Sequence, residues 1–438
     1  MPTQSADKRP VSFSIATFGC KVNQYDSQVM REALRAAGCR EGPPRNRTDV
    51  VIVNTCTVTH VADAKARRLI RRIARECPGC RIVVTGCGID RDPAAFERMP
   101  GVWAVIPNTR KPEIAEVLGL SVGGAHRSTV PHEPGWCAGI SGFEGHTRGF
   151  VKIQEGCDAW CTYCIVPAVR GPARSRAAAS VVAEVRRLAE RLNEIVLTGI
   201  HLGLYRDASG LDLAGLVRRV LDQTDVGRLR LSSIEVNEIT PELVDLIAGS
   251  GRVCPHLHVP LQSGSDRVLK RMGRPYTAAR FLAVLNKARD RLDRPAVTGD
   301  VMVGFPGETE EDFAETVAVC RAAAFGRMHV FPYSARPGTA AARLDGRCRT
   351  TVVSDRKQRL ANLADGLSLD YGSQFVGETL KVLVETSRDQ SGALCGYTPR
   401  YLRLLFDGPD SLRGRTIPVR VIEARPRFLR GEAQTEKP

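Results

Sequence analysis

The sequence contains no apolar run of the roughly 18 residues that a membrane-spanning helix needs. Its opening, MPTQSADKRPVSF, lacks the apolar core of a secretory signal. A cytoplasmic location with no membrane partner is therefore expected. Cysteine is too sparse for a secreted disulfide scaffold, at 14 in 438 residues. In a reducing compartment those thiols point to metal, cluster or thiol chemistry. Acidic residues are also in deficit: 48 against 63 basic ones leave a net charge of +15. Such an excess favours polyanions, nucleic acid foremost, although a solubility setting would produce the same sum. Only 10 of the 63 basic residues are Lys, an Arg bias that gene base composition can also produce. Hydrophobic residues at 43% and charged ones at 25% are the balance of a folded chain. At roughly 150 residues per domain, about three domains are expected.

Residues 12–120 alternate strand-like runs (12–17, 49–54, 81–85 and 102–106) with helical patterns at 24–37, 61–76 and 93–99. That alternation predicts an α/β fold with a parallel, doubly wound sheet. Residues 121–147 are rich in Gly, Pro and Ser and read as a linker. A second alternation begins at residue 148, with strands at 149–154, 194–197, 228–232, 256–259, 297–303 and 328–331. Helices at 180–192, 213–223, 241–248, 277–291 and 309–324 separate them. Six βα units fit a partial barrel or another doubly wound sheet, and either places functional residues just after the strands. A helix at 354–369 leads to short strands at 379–385, 393–398, 401–406 and 416–423, a small antiparallel barrel or sheet. The expected divisions are 1–120, the linker 121–147, 148–369, a barrel over 370–430, and a disordered tail, 431–438.

The strongest local signal is Cys157-x3-Cys161-x2-Cys164 in FVKIQEGCDAWCTYCIVPAVRG. Three thiolates at this spacing can hold three irons of a cubane and leave the fourth open to a small molecule. Zinc is the alternative, but structural zinc wants four closed ligands, and no His or Cys close in sequence supplies the fourth. The loop and its βα setting resemble the radical S-adenosylmethionine (SAM) enzymes. In those, the open iron binds SAM, and one electron releases a 5′-deoxyadenosyl radical that abstracts hydrogen. The resemblance makes the later strand ends candidate SAM contacts: Thr198 and Gly199, Glu235, and Gln262 with Ser263. Turns with helix caps are the plain alternative for these segments, Ser265 and Thr309 being cap candidates.

Three further cysteines, in Gly19-Cys20, Thr55-Cys56 and Gly86-Cys87, each follow a predicted parallel strand, and such ends share one edge of a sheet. Three unrelated core thiols would be the alternative. With the other features they resemble the methylthiotransferase branch of the radical SAM family, over nearly the whole chain. That implies a partial (β/α)6 radical domain and a C-terminal TRAM-like barrel. It also implies a second [4Fe–4S] cluster, on Cys20, Cys56 and Cys87, that holds the sulfur to be inserted. Cys77-Pro-Gly-Cys80 is a C-x2-C pair that the family pattern does not use. Cys39, Cys137, Cys254, Cys320, Cys348 and Cys395 read as isolated and structural.

The stretch Cys20-Lys21-Val22-Asn23-Gln24-Tyr25 is similar to the MtaB-like branch, which acts on threonylcarbamoyladenosine beside the tRNA anticodon. Sister branches act on isopentenyladenosine in tRNA and on a ribosomal-protein aspartate. The resemblance implies tRNA and an electron donor such as flavodoxin or ferredoxin as partners, and leaves the sulfur donor open. Residues 400–430 hold eight Arg against three acidic residues. Arg400, Arg403, Arg413, Arg415 and Arg420, with Tyr397 and Tyr401, are candidate phosphate and base contacts; a solvated strand face is the alternative. The helix at 61–76 carries Lys65, Arg67, Arg68, Arg71, Arg72 and Arg75, with charge expected on more than one face. A non-catalytic RNA-binding iron–sulfur protein would share the clusters and basic surface but would not need the SAM loops.

Overall fold

A computed structural model describes residues 10–42, 48–57, 60–120 and 139–434. They form two compact units. The first holds the residues up to Ser141 together with the segment Ile165–Pro172; the second holds Gly142–Cys164 and the chain from Ala173 onward.

In the first unit the order is β1 (Ser12–Thr17), α1 (Lys21–Ala36), β2 (Arg40–Glu41), β3 (Val50–Thr55), α2 (His60–Glu76), β4 (Arg81–Gly86), α3 (Cys87–Arg91), α4 (Pro93–Glu97), β5 (Val102–Ile106) and α5 (Ile114–Val117). The strands pair in parallel in the order β2-β1-β3-β4-β5. β3, VVIVNT, is buried along its whole length, as a central parallel strand covered on both faces must be. Alternate side chains feed opposite cores. Ile52 packs with Met30, Leu34 and Ile114 of α1 and α5, whereas Val51 and Val53 pack with Ile70, Ile73 and Phe96 of α2 and α4. The sheet is doubly wound, as its sequence pattern predicts.

α2 departs from expectation. Lys65, Arg68, Arg71, Arg72 and Arg75 are all exposed, and at 3.6 residues per turn they share one arc of about 120°. Arg67 turns inward, its guanidinium 4.2 Å from the centre of the Phe96 ring and paired with Asp63. The opposite side, with Ala66, Ile70 and Ile73, is buried, so the charge occupies a single face. Of the expected linker, residues 121–138 lie outside the described residues, as does Cys137. The other 13 cysteines are all unbridged.

The second unit begins with β6 (Arg148–Lys152) and β7 (Gln154–Glu155). α6 (Val166–Arg170) lies in the segment lent to the first unit. Then follow β8 (Arg174–Ser175), α7 (Ala178–Ala189), β9 (Glu194–Thr198), α8 (Leu213–Gln223), β10 (Leu229–Leu231), α9 (Pro241–Gly249), β11 (His256–His258), α10 (Asp266–Met272), α11 (Ala278–Arg291), β12 (Ala296–Val303), α12 (Glu310–Ala322), β13 (Arg327–Pro332) and α13 (Thr350–Ser373). Parallel pairing joins β6-β9-β10 and β11-β12-β13, and a Ser233–His258 bridge links the two sets. Six strands in chain order make the partial barrel. Helix starts are marked by polar caps: Asp212 before α8, Thr240 with Pro241 before α9, Thr277 before α11. Thr309 and Asp312 form a full capping box at α12. Among the described residues, no helix is long and apolar enough to cross a membrane.

The chain ends in a closed barrel of β14 (Thr379–Val384), β15 (Leu394–Tyr397), β16 (Arg403–Phe406), β17 (Thr416–Arg425) and β18 (Phe428–Ala433). The expected tail starting at 431 is corrected here, because Gly431–Ala433 complete β18 and pair with Val419–Val421. The reason it escapes pattern reading is physical. Inward position 431 must be Gly, since a Cβ there would lie 2.6 Å from the Arg420 carbonyl oxygen, so no apolar alternation marks the strand.

Within this unit a buried ionic cluster fastens the barrel end. Glu194 is fully buried and accepts from Arg230 Nε at 2.7 Å and Arg228 Nη1 at 3.2 Å. The same two arginines donate to the carbonyls of Tyr397, Thr398 and Pro399. Burial alone would raise the Glu194 pKa, but the arginines outweigh it and hold it below the usual carboxylate value. Its contribution to stability is thus complete above the unfolded carboxylate pKa of about 4.3 and is lost as pH falls through the lower folded value. Replacing Glu194 by Ala leaves buried guanidinium charge uncompensated and is expected to cost about 3–5 kcal/mol in a urea titration. A loss under about 1 kcal/mol, the range of an exposed pair, would show that the cluster is not a stabilising element.

Candidate active site: two cysteine loops

Cys157, Cys161 and Cys164 lie in the loop after β7, at the carboxyl edge of the partial barrel. The loop is held from beneath: Thr162 donates its N–H to the Met272 carbonyl and its hydroxyl to that of Arg271, at the end of α10. Cys161 is buried, while Cys157 and Cys164 are half-buried. Each of the first two sulfurs has polar neighbours. The Ala159 N–H lies 3.4 Å and His201 Nδ1 3.3 Å from Cys157 Sγ, and Arg274 Nη1 lies 3.4 Å from Cys161 Sγ. Burial opposes a second proton on His201, but hydrogen bonding with Cys157 and Glu238 prevails and lifts its pKa to about 10. The Arg274 guanidinium and the His201 ring thus face the thiolates, and hydrogen bonds to ligand sulfur are one of the means by which a protein tunes a cluster.

The expected SAM contacts fall at neighbouring strand ends but differ in availability. The Thr198 carbonyl already accepts the Ile153 N–H, and Gly199 packs on the Gln154 side chain, where a Cβ would meet Oε1 at 2.9 Å. Glu235 is ion-paired with Arg274. The Ser263 hydroxyl is engaged by Thr316 Oγ1 and the Ser265 N–H. Gln262 is different. Its backbone has φ +62° and, among the described residues, its buried Oε1 lacks a hydrogen-bond partner, as does the buried Ser232 Oγ. Orphaned polar atoms at the ends of β10 and β11 fit a polar ligand, since leaving them unpaired is costly. Of the cap candidates, Thr309 caps α12, whereas the Ser265 hydroxyl donates to Asp312 Oδ1 instead of capping α10.

In the first unit, Cys20, Cys56 and Cys87 follow the adjacent central strands β1, β3 and β4. Cys20 is exposed at the N-cap position of the 16-residue helix α1, whose positive end favours negative charge, and its side chain makes no capping hydrogen bond; Cys56 and Cys87 are buried. Gly19, at φ +99°, is the cradle: a Cβ there would lie 2.7 Å from Cys56 Sγ. Buried amides latch the loops together. Asn23 Nδ2 donates to the carbonyls of Phe18 and Thr55 at 2.8 Å, and Asn54 Nδ2 to the Asn23 carbonyl at 2.9 Å. Thr55 Oγ1 donates to the Thr85 carbonyl and accepts the Gly88 N–H. Among the described residues no three His, Cys, Asp or Glu side chains gather tightly enough to chelate one ion. Cys20, Cys56 and Cys87 follow three neighbouring strands, and a cubane takes one thiolate per iron instead of three on one ion. Cys77 and Cys80 pack instead against the core between α2 and the sheet.

Two of the expected RNA contacts are engaged within the protein. Arg400 donates to the backbone carbonyls of Asp293 and Arg294 and pairs with Asp293 at 2.7 Å. Tyr401 stacks on Tyr397 at 5.0 Å, with Arg230 over its ring at 4.5 Å. Arg400 thus packs on the turn between α11 and β12, and Tyr401 on Arg148 of β6 and Arg230 of β10. Arg413 pairs with Asp410 and Arg403 lies 3.7 Å from Asp389. Arg415 and Arg420 are exposed and make no ion pair among the described residues. Sequence reasoning missed His201, Arg274 and Arg170. His201 sits in the Thr-Gly-Ile-His loop after β9, which was a usable signal, but nothing local marks the two arginines.

Fold and cysteine loops together define a radical SAM enzyme. Residues 151–320 match the radical SAM superfamily, 12–106 the uncharacterized protein family UPF0004, and 373–433 the TRAM domain. The chain is 37% identical to the threonylcarbamoyladenosine tRNA methylthiotransferase MtaB of Bacillus subtilis, covering 93% of each chain. It is 34% identical to the tRNA-2-methylthio-N(6)-dimethylallyladenosine synthase of Pelotomaculum thermopropionicum, over 96% of this chain and 97% of the other. The chain belongs to the radical SAM tRNA methylthiotransferase family, whose superfamily uses a [4Fe–4S] cluster and SAM. Its fold is also similar to that of TsrM, a radical SAM methyltransferase from Kitasatospora setae, at TM-score 0.54, 19% identity and coverage of 76% and 77%.

Proposed function

We propose that this enzyme converts N6-threonylcarbamoyladenosine beside the anticodon of tRNA to its 2-methylthio derivative. The observation that carries the reading is the presence of two three-cysteine sets in one chain. One lies on the loop after β7, and the other at the adjoining ends of β1, β3 and β4. Cys157, Cys161 and Cys164 are assigned to the radical-generating cluster, and Cys20, Cys56 and Cys87 to a second [4Fe–4S] cluster. When bound, the first supplies the electron that cleaves SAM to a 5′-deoxyadenosyl radical, and the second presents the sulfur destined for carbon 2 of the adenine. The chain's own residues do the rest. Thr162 and Gln154 fix the cluster loop and the β9 loop beside it. Gln262 and Ser232 offer unpaired buried oxygens for the polar groups of SAM. Arg403, Arg415, Arg420 and the basic face of α2 offer cations to tRNA phosphates. The substrate branch is supported by the Cys20–Tyr25 signature and by the MtaB relatives, including that of Thermotoga maritima, 37% identical over 90% of this chain. An unpaired anticodon-loop purine exposes carbon 2 without the cost of opening a duplex, a few kcal/mol. The setting is the cytoplasm, with a flavodoxin or ferredoxin as reductant.

Nucleoside mass spectrometry of tRNA from a strain lacking the protein tests this. Loss of 2-methylthio-N6-threonylcarbamoyladenosine, with its unthiolated precursor accumulating, is the expected result. Loss of the isopentenyl product instead would move the enzyme to the sister branch. Unchanged tRNA alongside an unmodified ribosomal-protein aspartate would overturn the RNA reading.

A further inference from the structure

One buried cation in the first unit has no part in the reading so far. Arg170 ends α6, in the segment lent to that unit, and is 6% exposed. Its Nε lies 3.1 Å from Cys87 Sγ, Nη1 lies 3.3 Å from Asp26 Oδ2, and Nη2 donates to Asn23 Oδ1 at 2.5 Å. A carboxylate alone beside the guanidinium would cancel its charge. Here Asp26 Oδ2 is shared with Lys111 Nζ at 2.9 Å; with Asp90, which feels the charges of both Lys111 and Arg170, two carboxylates face two cations. The other nearby carboxylate, Asp90, is engaged by Asn108, whose Nδ2 in turn lies 3.8 Å from Cys87 Sγ. Among the described residues, the closest polar contact of the sulfur is the Arg170 Nε–H. Ile165 and Val169 pack on Cys87 and keep the contact dry, where a charge acts at lower dielectric than in water.

We infer that Arg170 is a tuning residue for the N-terminal cluster, acting through Cys87: its N–H···S bond and its charge withdraw electron density from that one ligand sulfur. The inference rests on the assignment of Cys20, Cys56 and Cys87 to a cluster. Hydrogen bonds to ligand sulfur and positive charge nearby both favour the reduced, more negative cluster and raise its potential. Cys87 thereby differs from Cys20, which is exposed at the start of α1.

The test uses full-length protein carrying Cys157→Ala, Cys161→Ala and Cys164→Ala, so that only the N-terminal cluster can form. After anaerobic reconstitution it should hold about four iron per chain. Dithionite supplies the electron in a redox titration followed by electron paramagnetic resonance. Arg170→Gln in this background should make reduction about tenfold less favourable at fixed poise, a midpoint about 59 mV more negative for one electron. Arg170→Lys keeps charge but not the planar donor and should shift the midpoint the same way by less. A merely structural role would lower the melting temperature of both variants and leave the midpoint where it was. Equal midpoints in the parent and Arg170→Gln overturn the inference. If Arg170→Gln cannot hold the cluster, Arg170→Lys decides alone, and a midpoint equal to the parent's overturns it. A parent without iron would instead remove the second-cluster assignment itself.

Discussion

Replacing Cys157 and Cys161 together by Ala is expected to abolish 5′-deoxyadenosine formation from SAM. Iron should fall from about eight to about four per chain, since one of two four-iron clusters is lost. Cys164 would be the one thiolate left in the loop, and a single thiolate does not hold a four-iron cluster. The loop itself is anchored through Thr162 to the end of α10, so the change should leave the barrel folded. Anaerobic turnover with dithionite, followed by chromatography of the nucleosides, measures the outcome. Continued SAM cleavage by the double variant would remove the Cys157/Cys161/Cys164 assignment.

Cys56→Ala separates the two cysteine sets by function. The variant is expected to cleave SAM at close to the wild-type rate while methylthio product falls to background. Cys56 is buried against Gly19, at the end of β3 in the first unit, whereas the radical loop belongs to the second. The cavity left by one sulfur is small, so a large loss of product would report the missing ligand and not a failed fold. Product analysis on tRNA that carries N6-threonylcarbamoyladenosine without the methylthio group, with 5′-deoxyadenosine counted in the same samples, gives both readouts. Full product formation would take the N-terminal cysteines out of the mechanism.

Much of this architecture was legible because parallel α/β chemistry writes itself locally. β1 and β5 fall on their expected boundaries, as does α8, since each is a short apolar run or an amphipathic repeat bounded by turn residues. The cysteines were legible for the same reason, each following a recognisable strand. What stayed hidden needs tertiary contact to be seen. α3 and α10 are only five and seven residues long, too short to show a helical period. β18 has a Gly at its second inward position. The engagement of Arg400 and Tyr401 within the protein was hidden because composition reports charge and aromaticity, not direction. Their partners, Asp293 and Arg230, lie more than a hundred residues away in sequence. Arg170 was invisible for the opposite reason: its sequence neighbours belong to the radical loop, and its contacts do not.

The chain reads as three modules in series, yet the fold does not divide where the modules do. Ile165–Pro172 lies within the match to the radical SAM superfamily and packs as part of the N-terminal unit. A fragment cut before residue 142 would lose Ile165 and Val169 from around Cys87 and leave Asn23 and Asp26 without the Arg170 guanidinium. The N-terminal module is therefore not a transferable cassette. A chimera that grafts it onto another radical domain must keep Ile165–Pro172 matched to it, although the chain on either side of that segment, Gly142–Cys164 and the residues from Ala173, belongs to the other unit.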